Sequence, residues 1–343
     1  MIPIDKRIDM EEKREYISMV FSRIANRTIN DMQYAIGKLL NEISIVDLEL
    51  YKRIQSEISI WKNELSVKEI SVDQGIRKLT SVLADVCAWI VMPYELMCDM
   101  YRRIQKFSDT TKNDLKSKFE CCKNRYTNTF SKYGINKWIV KTTGIQVCPY
   151  CNLSYTYNRT SQAASAQLDH FYNKSDYPMF ALCYYNLIPS CYACNHIKSD
   201  SDKELVSPYA DRAFEHMKIS WTLKPKTDEK VPLLEMEENI SIQIESTIPE
   251  ENNNLKEMNI IEAYQNHKDY AAEVVKKIMI YNNPQTKKLI SSAFKNENIN
   301  LAITDEEFER LYFGNYMNKE DQGKRILCKL ARDFYNSTKN HPN

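Results

Sequence analysis

The chain has 343 residues, ten cysteines, six glycines and a formal net charge of +1. Its length allows one large or two ordinary domains, each with its own core, and an apolar share of 43% excludes a disordered or collagen-like chain. The charge is small in total but segregated. From Tyr101 to Lys141 eleven Lys or Arg oppose three acids, an excess of +8, and from Thr227 to Glu262 ten acids oppose two lysines, an excess of −8.

In chain order, Met1 to Asp9 carries Asp5, Lys6, Arg7 and Asp9 with no apolar segment behind them, which speaks against a secretory signal. The expected setting is a reducing cytoplasm, where ten cysteines serve as core residues or metal ligands rather than disulfides. Residues 1–140 are predicted to be helical. Leu50, Ile54, Ile58, Trp61 and Leu65 recur at the spacing of one helix face. A second helix is predicted from Ser71, carrying Ile76, Leu79, Leu83 and Val86 inward. The apolar run from Val86 to Met97 is too short to span a bilayer, so a buried core helix is expected there, kinked or ended by Pro93. A third helix is predicted from Ser108 to about Lys132, with Gly134 as its C-cap.

From Gly144 the pattern changes. Val147 to Tyr157 and Ala164 to Tyr172 predict a two-stranded ribbon, Tyr177-Pro178 a short apolar helix, and Asn195 to Lys198 the start of another. A short β region is expected near 216–248, with strands over Lys218–Leu223 and Ile240–Ile244. The acidic stretch between those strands reads as loop. Helices over about 257–282, 285–296, 304–313 and 320–337 complete the chain. The expected fold is mainly α, with helical flanks at 1–140 and 213–343 around a small central module at 141–212.

That module concentrates the chemistry. Cys148-Pro-Tyr-Cys151 and Cys191-Tyr-Ala-Cys194 form two C-x2-C knuckles, a spacing that lets both sulfurs of a knuckle reach one ion. Four thiolates satisfy a tetrahedral Zn²⁺ and leave no open position, so a structural ion is expected; an Fe–S cluster is the other possible occupant. Between the knuckles, Asp169-His170 joins an oxygen ligand to a base that titrates near neutrality. Taken alone, such a pair is more often an ordinary hydrogen-bonded pair than a catalytic one. The basic block at 101–141 runs directly into this stretch, as a phosphate-binding approach would, and equally as a solvated helix face would. Cys121-Cys122 is a vicinal pair without a functional reading.

The run Cys148-Pro-Tyr-Cys151, Leu168-Asp-His-Phe171, Asn186-Leu-Ile-Pro-Ser-Cys191, Cys194-Asn-His-Ile-Lys198 resembles zinc-clamped HNH endonucleases of the ββα-metal fold. Tyr264-x-x-His267 and Lys329-Leu-Ala-Arg-Asp333 extend the likeness to HNH proteins of Septu and retron-type bacterial anti-phage systems. The resemblance implies that His170 is the general base, that Asp169 ligates a catalytic Mg²⁺ or Mn²⁺, and that Asn186 orients His170. The third motif position falls on Asn195, with His196 as the alternative ligand. Lys174 and Lys198 are candidate phosphate contacts.

Metal-dependent hydrolysis of DNA is therefore expected, with RNA as a possible substrate. A co-encoded ATPase is the expected partner, since the chain has no Gly-x4-Gly-Lys-Ser/Thr motif of its own, and no membrane is expected. The competing readings are a non-catalytic zinc-stabilised module that binds nucleic acid or a partner, and a mobile-element or housekeeping HNH nuclease.

Overall fold

The structure is a computed structural model and describes residues 1–68, 70–72, 77–129, 134–158, 166–199, 203–224, 235–294 and 304–339. The chain forms two compact units, each assembled from separate stretches. Residues 5–143 and 158–190 make one, called here the histidine unit; residues 1–4, 144–157 and 191–343 make the other, the cysteine unit. The described chain is mainly helical, with three two-stranded antiparallel sheets.

The histidine unit opens with α1 (Met10–Phe21), whose start is fixed by a capping box in which Asp9 accepts from the Glu12 N–H and Glu12 accepts from the Asp9 N–H. Next come α2 (Asn26–Val46) and α3 (Leu48–Val67). Helix α3 buries Leu50, Ile54, Ile58, Trp61 and Leu65, the five residues of the predicted stripe. The helix expected from Ser71 does not form. A hairpin of β1 (Ile70–Val72) and β2 (Arg77–Leu79) takes its place, with Ile70 opposite Leu79. Two features of the sequence favour the hairpin: β-branched Ile70 and Val72 suit a strand, and Gly75 would cost a helix about 1 kcal/mol. Ile76 itself lies outside the described residues.

The apolar run after it is two helices, not one. Helix α4 (Ala84–Ile90) ends before Pro93 and α5 (Tyr94–Gln105) begins directly after it, the pair bent by 84°. Pro93 has no N–H to continue the first helix, and its fixed φ suits the start of the second. Among the described residues no single helix is long and apolar enough to cross a membrane. The third predicted helix is likewise divided, into α6 (Asp109–Lys118) and α7 (Glu120–Thr129), at the fully buried Phe119. The predicted end near Lys132 lies outside the described residues. Gly134, at φ +78°, instead precedes a helix the pattern did not reveal, α8 (Ile135–Thr143).

The ribbon forms with a different partner from the expected one. Strand β3 (Gln167–His170) pairs with β4 (Leu187–Ser190), so that Asp169 faces Ile188 and His170 faces Leu187. Val147 makes only an isolated bridge, to Tyr155. The intervening knuckle consumes its own backbone groups: the Cys148 N–H donates to Ser154 O, and the Asn152 N–H to Cys148 O. The short helix expected after Tyr177 is a pair of 3-10 turns, Pro178–Phe180 and Tyr184–Asn186.

In the cysteine unit, α9 (Tyr192–Lys198) starts inside the second knuckle, earlier than predicted. Strand β5 (Lys218–Leu223), the short α10 (Met236–Asn239) and β6 (Ile240–Glu245) follow; β5 and β6 lie where strands were expected and pair antiparallel, Ile219 opposite Ile244. The acidic loop at 225–234 lies outside the described residues. The remaining helices are α11 (Pro249–Glu257), α12 (Ile260–Gln265), α13 (Lys268–Tyr281), α14 (Pro284–Phe294), α15 (Asp305–Phe313) and α16 (Cys328–Lys339). The single helix predicted over 257–282 is broken, with His267 at the N-cap of α13. The one predicted from residue 320 begins only at Cys328. The stretch before it is irregular because its carbonyls are used elsewhere, as the knuckle shows.

Candidate metal centre and the histidine beside a carboxylate

All four clamp cysteines lie in the cysteine unit. Each offers a sulfur, and the four sulfurs lie within 4.8 Å of one another in a buried cluster. Cys151 Sγ and Cys191 Sγ are 3.9 Å apart. Sulfurs at about 2.3 Å from a tetrahedral Zn²⁺ would stand roughly 3.8 Å from each other, so the donor set fits such an ion. The group could hold a metal ion such as zinc.

Local structure presents these sulfurs. Cys191 caps α9, its Sγ accepting from the Cys194 N–H at 3.5 Å, and Cys151 Sγ accepts from the Leu153 N–H at 3.3 Å. Such N–H donors favour thiolate over thiol. Hydrogen bonding from the Cys148 thiol pushes Cys191 and Cys151 below the usual thiol range. Cys194 is pushed up by its bond with Cys148, and burial pushes up Cys148 itself. Four sulfurs this close cannot all ionise against one another, and the protons they share are what a divalent ion would displace. A cleft of about 320 Å³, lined by Cys151, Cys191, Cys194, Ile197 and Met258, gives the cluster a route to solvent.

The first knuckle is fastened to the rest of its unit by Asn152, which is fully buried with φ 56°. Its side-chain amide donates to Gln322 O and Arg325 O, its Oδ1 accepts from the Lys329 N–H, and its carbonyl accepts from the Leu327 N–H at 2.7 Å. Tyr264 Oη donates to Cys151 O at 2.8 Å. The two features outside the central stretch thus have structural positions. Tyr264 holds a knuckle carbonyl. Lys329 donates to Met217 O and pairs with Asp333, which in turn accepts from the Ile219 N–H, tying α16 to β5.

His170 and Asp169 lie in the histidine unit, on β3, with only 6% and 3% of their surfaces exposed. The His170 Nε2 is 3.1 Å from the Ala181 carbonyl. A carbonyl can only accept, so Nε2 carries the proton in this contact. Asn186, fully buried, clamps the same loop: its Oδ1 accepts from the Tyr172 N–H at 2.7 Å, and its Nδ2 donates to Tyr172 O and Phe180 O. Phe180 adjoins Ala181, so Asn186 fixes the backbone that supplies the histidine's acceptor.

Sequence reasoning missed Tyr126, on α7. Its ring meets His170 edge to face, 4.2 Å between centroids at 78°, and its hydroxyl donates to Leu168 O at 3.3 Å. Burial raises the Tyr126 phenol above its ordinary range, and the Asp169 charge raises it further. Lys174 lies over the other part of this array, its Nζ 5.4 Å from the Tyr126 centroid. No local pattern marks Tyr126, since the contact joins residues 44 apart in sequence; an aromatic set among Lys123, Arg125 and their neighbours was the only available hint.

The third motif position and its neighbour occupy different sides of α9, in the cysteine unit. Asn195 is half-buried and follows Cys191 by four residues, on the same helix face. His196 is exposed and its ring stacks on Tyr192, 5.6 Å between centroids at 7°. Lys198 is 3% exposed, unlike an ordinary surface lysine. The predicted site residues are therefore shared between the units: Asp169, His170, Asn186 and Lys174 in one, and the four cysteines, Asn195, His196 and Lys198 in the other. Comparison with protein-family models, with curated proteins and with solved structures finds no match to this chain.

Proposed function

We propose that the chain is a metal-dependent HNH-type endonuclease that hydrolyses phosphodiester bonds in DNA. The observation that carries this reading is the contact of His170 Nε2 with the Ala181 carbonyl at 3.1 Å. With Nε2–H given to that carbonyl at the end of a strand, and Asn186 holding the loop, Nδ1 is the proposed base. In this reading Nδ1 takes the proton of an attacking water as the oxygen bonds to phosphorus, and the bond to the leaving 3′ oxygen breaks. A Mg²⁺ or Mn²⁺ would hold the scissile phosphate and offset developing charge. Asp169 is the proposed carboxylate ligand. Asn195 is preferred over His196 as the third motif residue, because Asn195 shares the buried face of α9 while His196 stacks outward on Tyr192.

The strand pair β3–β4 leading into α9 has the element order of a ββα module, and the buried cysteine cluster would be its structural zinc site. By the same resemblance the nuclease serves bacterial anti-phage defence and works with a co-encoded ATPase. Lys174, whose Nζ lies over the Tyr126 ring, and Lys198 are the proposed phosphate contacts.

The deciding experiment is plasmid cleavage by wild type and His170→Ala over a Mg²⁺ and Mn²⁺ titration. Wild type should nick in a metal-dependent way, and the variant should lose about 10²–10⁴-fold in rate with unchanged zinc content. Equal rates would remove His170 as the base. A second reading is favoured by the burial of Asp169 and His170, which also suits a structural pair in a zinc-stabilised binding module. DNA or RNA binding without metal-dependent cleavage at any ion concentration would select it.

A further inference from the structure

The cysteine unit contains a second cavity, of about 230 Å³, whose lining includes Met1, Pro3, Ala213 and Phe214 together with the polar residues Glu215, Lys319, Gln322, Lys329 and Arg332. Its polar wall has more donors than acceptors. Lys329, 3% exposed, spends two of its N–H groups on Met217 O at 2.8 Å and on Asp333 at 2.9 Å. Arg332 spends Nε and one Nη2 hydrogen on Asp333, and one Nη1 hydrogen on Gln322 Oε1 at 2.8 Å. One hydrogen on each terminal guanidinium nitrogen remains. Lys319 pairs with Glu215, which also accepts from Arg212 Nε.

Gln322 supplies the decisive observation. It is 4% exposed and lines the cavity, its Oε1 is fixed as an acceptor by Arg332, and its Nε2 has no partner among the described residues. Both Nε2 hydrogens are therefore available to a group bound in the cavity. The charges tell the same story: Lys319, Lys329 and Arg332 face two carboxylates, Glu215 and Asp333, each already engaged by a further donor outside the cavity wall.

We infer that this cavity is an oxyanion site that takes a phosphate group, with Gln322 Nε2, the spare guanidinium hydrogens of Arg332 and the third Lys329 hydrogen as its donors. Donors arriving from three side chains suit the several oxygens of a phosphate. The space also fits. At about 30 Å³ per water, it would hold a phosphate and a few waters, and it falls below the usual range for larger ligands. The site lies on different residues from the proposed nuclease site and does not depend on that reading.

The test is calorimetric titration of the full chain with inorganic phosphate and, separately, with a 5′-mononucleotide, at constant ionic strength in chloride. Gln322→Glu keeps the acceptor for Arg332 and its shape, so the fold is retained, while the donor becomes a repelling carboxylate. Saturable phosphate binding by wild type should weaken about ten- to a hundredfold in Gln322→Glu, the loss of one charge-assisted hydrogen bond. It should weaken less in Lys319→Gln, whose side chain is 48% exposed. Tighter binding of the mononucleotide would assign a phosphomonoester, and equal or weaker binding the free ion. Absence of saturable binding to either probe, or equal affinity in wild type and Gln322→Glu with both folded by thermal melting, would overturn the site.

Discussion

The two units hold their chemical groups by opposite means. In the histidine unit, His170 is set by neutral groups: a carbonyl at Ala181, the edge of Tyr126, and a loop whose backbone is pinned by Asn186. These contacts are made by the chain itself. In the cysteine unit, four sulfurs are brought within 4.8 Å and share protons that leave each other unsatisfied. That arrangement could hold a cation. One unit positions its histidine by hydrogen bonds, whereas the other gathers a ligand set that an ion such as zinc would complete.

The sharpest way to break the comparison is to remove the ion. A structural zinc in such a clamp supplies binding energy on the order of 10 kcal/mol, which is folding energy for the segments it ties. Chelation or Cys194→Ser should therefore release the first knuckle and the stretch that Asn152 holds, residues 322–329. Hydrogen exchange would read this as lost protection at 146–156 and 322–329. Equal protection with and without metal would mean that the cluster is only a set of buried thiols.

The next effect belongs to the other unit. His170→Ala should leave metal content and thermal stability close to wild type while lowering any cleavage rate by about 10²–10⁴-fold, or roughly 3–5 kcal/mol of barrier. A variant that loses zinc would show that the units do not differ in the way described. Asn186→Ala is expected to be smaller in rate and larger in stability. It removes one acceptor and two donors from a fully buried position, leaving Tyr172 and Phe180 backbone groups unmet. A loss of about 2–4 kcal/mol in chemical denaturation, with metal content intact, is the expected outcome. A loss of metal without a loss of stability would contradict it.

How far the sequence revealed these arrangements follows the reach of the signals. The stripe on α3 and the alternation of β5 and β6 are local patterns, and all were legible. The clamp was legible because paired cysteines at fixed spacing have few other uses. The partner of β3 was not, since Val147–Tyr157 and Leu187–Ser190 are both apolar and only the knuckle's internal hydrogen bonds exclude the first. Tyr126 and the Ala181 carbonyl were invisible for the same reason: one is an aromatic on a distant helix, the other a backbone atom. The helix misread at Ser71 shows a periodic stripe losing to Gly75 and β-branched neighbours. The role of Lys329 and Asp333 needed the fold, because their partners Met217 and Ile219 lie more than a hundred residues away.

The smallest expected effect tests whether exposed charge contributes to the cysteine unit at all. The Glu215 carboxyl accepts from Lys319 and Arg212, which hold it at about 2, well below its ordinary 4.5. A carboxyl depressed on folding adds stability above its ordinary pKa, and that contribution is lost as pH falls through the folded value. Between roughly pH 4.5 and 2, wild type should therefore lose slightly more stability than Glu215→Gln, with the two alike in slope at neutral pH. The side chain is partly exposed, at 24%, so screening keeps the difference small, and added salt should reduce it. Denaturation midpoints measured across that window decide the matter. A difference as large as that of Asn186→Ala would place surface ion pairs, rather than the clamp and the buried Lys329–Asp333 pair, at the centre of what holds the cysteine unit.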